Sequence, residues 1–127
     1  ATKIAEFLSK HPKVERVIYP ELYDKKSEQY KIYKKQCKGP GSLLSFYIKG
    51  GKKEAFKFLD NVKLCKLAVS LGGTESLIEH PKAMTHSEVD AETLKDAEIT
   101  DNMIRLSVGI ENYKDIINDL KNALDKI

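Results

Sequence analysis

Apolar positions recur along the chain with two different periods, and the switches between them lay out a fold. Ile4, Phe7 and Leu8 are spaced three and four apart, which predicts an opening helix. It should end near His11-Pro12, because the residue before a proline is pushed out of helical geometry. In "VERVIY" the period becomes two, with Val14, Arg16 and Ile18 against Glu15, Val17 and Tyr19, and Pro20 closes a short edge strand. Helical spacing returns in "DKKSEQYKIYKKQCKG", where Tyr30, Tyr33 and Cys37 share a face and Gly39 to Gly41 stop the helix.

The clearest central strand is "SLLSFYIKGG", with Leu44, Phe46 and Ile48 on one face and Leu43, Ser45 and Tyr47 on the other. Gly50-Gly51 turns it into a helix, "KKEAFKFLDN", with an apolar stripe of Ala55, Phe56 and Leu59. A strand-like run "VKLCKLAVSL" follows, then "GGTESLIEHP", punctuated by Pro81. "SEVDAETLKDAEIT" is polar and predicts a loop with a short helix capped by Asp90. In "MIRLSVGI" the residues Ile104, Leu106, Val108 and Ile110 share one strand face, leaving Met103, Arg105, Ser107 and Gly109 on the other. The last segment places Tyr113, Ile116, Ile117, Leu120, Leu124 and Ile127 on one helical stripe, with Asn112 as N-cap and Asp115 in the first turn. This order predicts an α+β fold: a largely antiparallel sheet covered on one face by helices.

Composition narrows the function classes. At 127 residues the chain has one domain's length, and 41% hydrophobic with 32% charged residues argues for a packed core over disorder. The net charge of +3 comes from scattered lysines interleaved with 19 acids, which points away from a nucleic-acid partner. No apolar run reaches the roughly 20 residues of a membrane span. There is no secretory leader, so a cytoplasmic location is expected, and the well-separated Cys37 and Cys65 suit free thiols there. His80 and His86 are not at a zinc spacing. The start, without Met and already at helical spacing, leads us to expect a fragment or a processed chain.

Candidate chemistry centres on Arg105, one of two arginines in a chain with twenty lysines. A guanidinium on a rigid strand offers a planar fork of donors that matches a carboxylate, which a lysine does not. A salt bridge to one of the many acids is the structural alternative. In "AVSLGGTESL", Ser70 precedes Gly72 and Gly73, where backbone N–H groups and a hydroxyl can approach an anion; a plain tight turn fits the same spacing.

Together, "AVSLGGTESLIEHPKAMTHS" and "IRLSVGIEN" resemble the C-terminal domain of the pyridoxal-phosphate enzymes of cysteine and methionine metabolism. These include cystathionine γ-synthase, the cystathionine lyases, methionine γ-lyase and the homoserine-ester sulfhydrylases. "IAEFLSKHPKVERVIYP", "GSLLSFYIKGG" and "FKFLDNVKLCKLAVSLGG" fit the same domain in the same order, so the resemblance covers essentially the whole chain. It implies that residues 1–127 are the small C-terminal domain of a fold-type I enzyme, roughly its last third, without the large domain that carries the cofactor lysine. It further implies that Arg105 grips the substrate α-carboxylate, that Ser70 lies on the same carboxylate through its main chain or hydroxyl, and that Thr85 lines the pocket.

Members that process cystathionine often have glutamate just before the serine; here it is Val69, apolar as in methionine γ-lyases. An apolar wall would leave a second ammonium group unpaired. The implied parent activity is γ-elimination of L-methionine to methanethiol, 2-oxobutanoate and ammonia, with pyridoxal phosphate as electron sink and a homotetramer, a dimer of dimers, as the assembly. The alternatives are cystathionine γ-lyase or γ-synthase, or a homoserine-ester sulfhydrylase. A non-catalytic interaction or ligand-sensing module is the reading of another class. The 127 residues alone are expected to be inactive.

Overall fold

The computed structural model describes all of residues 1–127. In chain order the elements are α1 (Thr2–Lys10), β1 (Val14–Ile18), a 3-10 turn (Pro20–Leu22), α2 (Glu28–Gln36), β2 (Leu43–Ile48) and α3 (Lys52–Leu59). Then come β3 (Lys66–Leu67), β4 (Leu77–Glu79), α4 (Pro81–Met84), α5 (Ala91–Asp96), β5 (Met103–Ser107) and α6 (Tyr113–Leu124). The five strands form one sheet in the order β1-β2-β5-β4-β3, antiparallel except for the β3–β4 pair. This is the α+β architecture expected from the pattern.

One face of the sheet packs on α1, α3 and α6. Leu44, Phe46, Ile48, Ile104 and Leu106 meet Ile4, Leu8, Phe58, Ile116, Leu120 and Leu124, all buried in a single cluster. Phe46 and Phe58 meet edge-on at 5.7 Å between centroids, a favoured aromatic geometry. Ser27 caps α2 by accepting from Tyr30 N–H, Asp90 caps α5 by accepting from Thr93 N–H, and Asn112 caps α6 by accepting from Lys114 N–H.

Several expectations give way to specific local causes. A bulge between Val14 and Arg16 shifts the register of β1, so Val14 and Tyr19 are buried while Ile18 is only half-buried. On α2 only Tyr33 is buried, and Cys37 is exposed beyond the helix end. On α3 the buried face is Ala55, Phe58 and Leu59, the three positions that one helical side brings together; Phe56 sits a step around the helix, edge-on to His80. The run "VKLCKLAVSL" yields only two strand residues. Its N–H groups at Lys63, Leu64 and Cys65 donate to the carboxylate of Asp119 on α6 at 2.7, 2.9 and 2.9 Å, so they are spent before a ladder begins. Ile110 is 82% exposed rather than on the core face, because β5 ends at Ser107 and Ile110 N–H turns to Thr74 O. Tyr113 is likewise exposed at the start of α6.

The second face of the sheet carries Ser45, Tyr47, Met103, Arg105 and Ser107. Part of it is roofed by the segment around α5: the Tyr47 hydroxyl donates to Glu98 O, and Arg16 lies over the Tyr47 ring while pairing with Glu98. The end of this face near Arg105 is left to the loop that follows β3. No helix of the chain is long and apolar enough to cross a membrane.

Candidate functional site

Arg105 lies in the middle of β5, which is itself the middle strand of the sheet, with Ser45 opposite on one side and Glu79 opposite on the other. Two flanking strands fix its backbone, so the guanidinium is aimed by the sheet rather than by a loop. Nη2 donates to Val69 O at 2.6 Å and reaches Ser70 O at 3.4 Å. Nη1 stands 2.9 Å from Glu79 Oε1. The side chain is 18% exposed, whereas that of Glu79 is 1% exposed.

Glu79 is the unusual member of the group. Its carboxylate has no hydrogen-bond partner for either oxygen, so the contact with Arg105 is an ion pair short of hydrogen-bond geometry. Burial pushes its carboxyl above the ordinary value; the charges of Arg105 and His86, the Thr85 hydroxyl and His80 pull it back without cancelling that push.

The loop from Val69 to Gly73 is held in place from β5. Gly72 has a φ of +76°, the left-handed region that favours glycine, and its N–H donates to Ser107 Oγ at 2.8 Å. Ser107 is buried and shares a strand face with Arg105, so one face of β5 holds both the cation and the latch of the loop beside it. A second clasp follows. Glu111 accepts from Ser76 N–H at 2.8 Å and from Ser76 Oγ at 2.9 Å, and Gly109 N–H donates to Ser76 Oγ at 2.9 Å. Burial pushes the Glu111 carboxyl up, but the Ser76 hydrogen bonds outweigh it and hold the group below the ordinary range.

The sequence-predicted residues are thus largely gathered. Arg105, Val69 and Ser70 are in direct contact, with Ser70 meeting the guanidinium through its carbonyl. The Val69 side chain is half exposed at the rim. Thr85 ends α4, donating from Oγ1 to Pro81 O at 3.1 Å and sharing a 2.7 Å hydrogen bond with His86 Nδ1. No hydrogen bond joins it to Arg105. His80 is structural: its Nδ1 accepts from Ala83 N–H to cap α4, and Nε2 bonds to Asp101 O.

Sequence reasoning missed Glu79 and Ser107. The signal for Glu79 was its place as the charged residue of a short apolar strand, "SLIE"; for Ser107 it was the two-residue spacing from Arg105. The widest cleft, about 370 Å³ between Arg16, Lys82 and α5, shares no residue with this group.

A guanidinium in this setting has N–H groups left over after its protein contacts, in a plane held by carbonyls on one nitrogen and a carboxylate on the other. Such a fork suits a single carboxylate from a small ligand. The chain is 53% identical over its full length to the L-methionine gamma-lyase of Fusobacterium nucleatum subsp. polymorphum, of which it covers 32%. It is 52% identical over 99% of its length to the cystathionine gamma-lyase of Dictyostelium discoideum, again covering 32% of that protein. A crystal structure of a putative O-acetylhomoserine (thiol)-lyase from Campylobacter jejuni, solved with N'-pyridoxyl-lysine-5'-monophosphate, superposes with a TM-score of 0.90 at 40% identity. The alignment covers 98% of this chain and 30% of that one. The chain therefore spans about a third of the length of these relatives. Residues 1–125 match the family model for Cys/Met metabolism PLP-dependent enzymes, and the chain belongs to that family.

Proposed function

We propose that residues 1–127 are the C-terminal domain of a pyridoxal-phosphate-dependent carbon–sulfur lyase, in which Arg105 holds the α-carboxylate of a sulfur amino acid. The observation that carries this reading is the guanidinium itself, fixed on the central strand with one nitrogen on Val69 O and the other on Glu79.

The donor set fits a substrate and not the cofactor's own attachment. The groups touching Arg105 are two carbonyls and a carboxylate, with no lysine to form a linkage and no cluster of donors for a phosphate. Pyridoxal phosphate is held by a large domain outside these residues, and when bound it supplies the electron sink for elimination. The chain's own contribution is positional. Holding the carboxylate at Arg105 fixes how the Cα–H bond is presented, and orientation of this kind is a large part of catalytic power. The resemblance supports a dimer of dimers in the cytoplasm as the working form.

Val69 favours methionine as substrate, because its side chain offers nothing to a second ammonium group. The relatives by name divide between the two substrates at 53% and 52% identity, so overall similarity does not separate them. The test is elimination by the full-length protein carrying this chain. We expect methanethiol and 2-oxobutanoate from L-methionine at a higher kcat/KM than turnover of L-cystathionine, with Val69→Glu moving the preference toward cystathionine. A wild-type preference for cystathionine would favour cystathionine γ-lyase. No elimination from either would favour the interaction module.

A further inference from the structure

Outside the contacts already assigned, the buried titratable side chain without a satisfied partner is Glu79. Buried polar groups in folded proteins are nearly all hydrogen-bonded, and one left bare needs a reason. A leucine or glutamine would fill the same place on β4 with less cost, because an ion pair inside a protein does not repay its desolvation unless its geometry is very good. Nothing in the core packing calls for a carboxylate here, since Glu79 is on the sheet face away from the main cluster.

The geometry points to Glu79 as a positioning residue that sets the plane of the Arg105 guanidinium for carboxylate recognition. This rests on the reading of Arg105 as substrate anchor. On the loop side the guanidinium is held through a single nitrogen: Nη2 bonds Val69 O at 2.6 Å and only brushes Ser70 O at 3.4 Å. One held nitrogen fixes a point and leaves the fork free to swing about it. Glu79 Oε1, 2.9 Å from Nη1, supplies the second point, and two points hold a planar fork. The cross-strand register of Glu79 with Arg105 makes this contact part of the sheet, so it does not depend on a loop closing.

Charge and orientation predict opposite signs for the loss of Glu79, and this separates them. A carboxylate beside Arg105 also competes for it, so if Glu79 acted only through charge, removing it would tighten substrate binding. If it acts by orientation, what matters is an oxygen held at the right reach beside Nη1.

The experiment is steady-state kinetics on the full-length holoenzyme with Glu79→Gln, Glu79→Leu and Arg105→Lys. Glu79→Gln keeps an oxygen at the same reach but loses the charge, and should raise KM less than Glu79→Leu does. Glu79→Leu keeps the bulk and loses the acceptor; KM for the amino acid should rise about tenfold with kcat changed less, as expected when orientation of a binding group is lost. A purely structural residue would lower the thermal midpoint and leave the KM-to-kcat pattern alone.

Unchanged or lower KM in both Glu79 variants, with KM raised in Arg105→Lys, would overturn this assignment and leave Arg105 as anchor. Unchanged KM in Arg105→Lys would instead overturn the anchor. Should Glu79→Leu fail to fold, Glu79→Met is read in its place, and the same two outcomes apply.

Discussion

Gly109→Ala should damage both stability and substrate binding, although residue 109 touches neither the guanidinium nor a substrate. A Cβ built on Gly109 would stand 2.3 Å from Thr74 O and 2.6 Å from the Glu75 carbonyl carbon, where ordinary contact begins at 3.4 Å. Both obstacles are backbone, so no rotamer change relieves them. The segment from Thr74 to Ser76 has to retreat by roughly 1 Å, which is also the scale at which positioning effects become large. That segment is pinned by four hydrogen bonds: Ile110 N–H to Thr74 O, Gly109 N–H to Ser76 Oγ, and the two from Ser76 to Glu111.

Straining those bonds at around 1 kcal/mol each gives a loss of about 2–4 kcal/mol. The displacement then runs back through Gly72 toward Ser70 and Val69, whose carbonyls hold Arg105, so KM should rise by about tenfold or more. The assay is urea unfolding of the 127-residue chain together with kinetics of the full-length protein. Gly39→Ala is the control, since nothing lies within 4 Å of a Cβ there. If Gly109→Ala unfolds at the wild-type midpoint, the close approach is not limiting and the reasoning fails.

Two further outcomes are expected. Asp119→Ala removes the acceptor of three backbone N–H groups, of which that of Cys65 is buried, and should cost about 3–5 kcal/mol in the same urea experiment; a loss under 1 kcal/mol would mean water replaces the carboxylate. Glu79 should make stability pH-dependent in an unusual direction. Its folded carboxyl is raised above the ordinary 4.5, so its contribution is full below that value and is lost as pH rises through the folded value. The melting advantage of Glu79→Gln over wild type should therefore be small near pH 4 and grow toward neutrality; an advantage that shrinks with pH would contradict the sign.

The element order and the core face were legible because period does the work: Leu44, Phe46 and Ile48, or Ile116, Leu120 and Leu124, can share a side in only one kind of element. Period is blind to long-range partners. Asp119 breaks the predicted strand at residues 63–65 from 54 or more positions away in sequence, and no local signal announces that. Ile110 continues an alternation that ends only because Glu111 and Thr74 draw the chain off the sheet. Arg105 and Ser70 were legible by residue type and by their motifs. Glu79 was not, since its meaning lies in the β4–β5 register that puts it opposite Arg105. Ser107 was correctly placed on the arginine face, but its bond to Gly72 N–H depends on a loop conformation that spacing does not specify.

The central claim is that Arg105 recognises a carboxylate, and the most direct measurement compares L-methionine with L-methioninamide in the full-length holoenzyme. Wild type should favour the acid strongly in kcat/KM. In Arg105→Gln that preference should fall by at least about tenfold, the scale of a lost charge-assisted hydrogen bond, with cofactor content unchanged. A preference as large in Arg105→Gln as in wild type would show that another group holds the carboxylate.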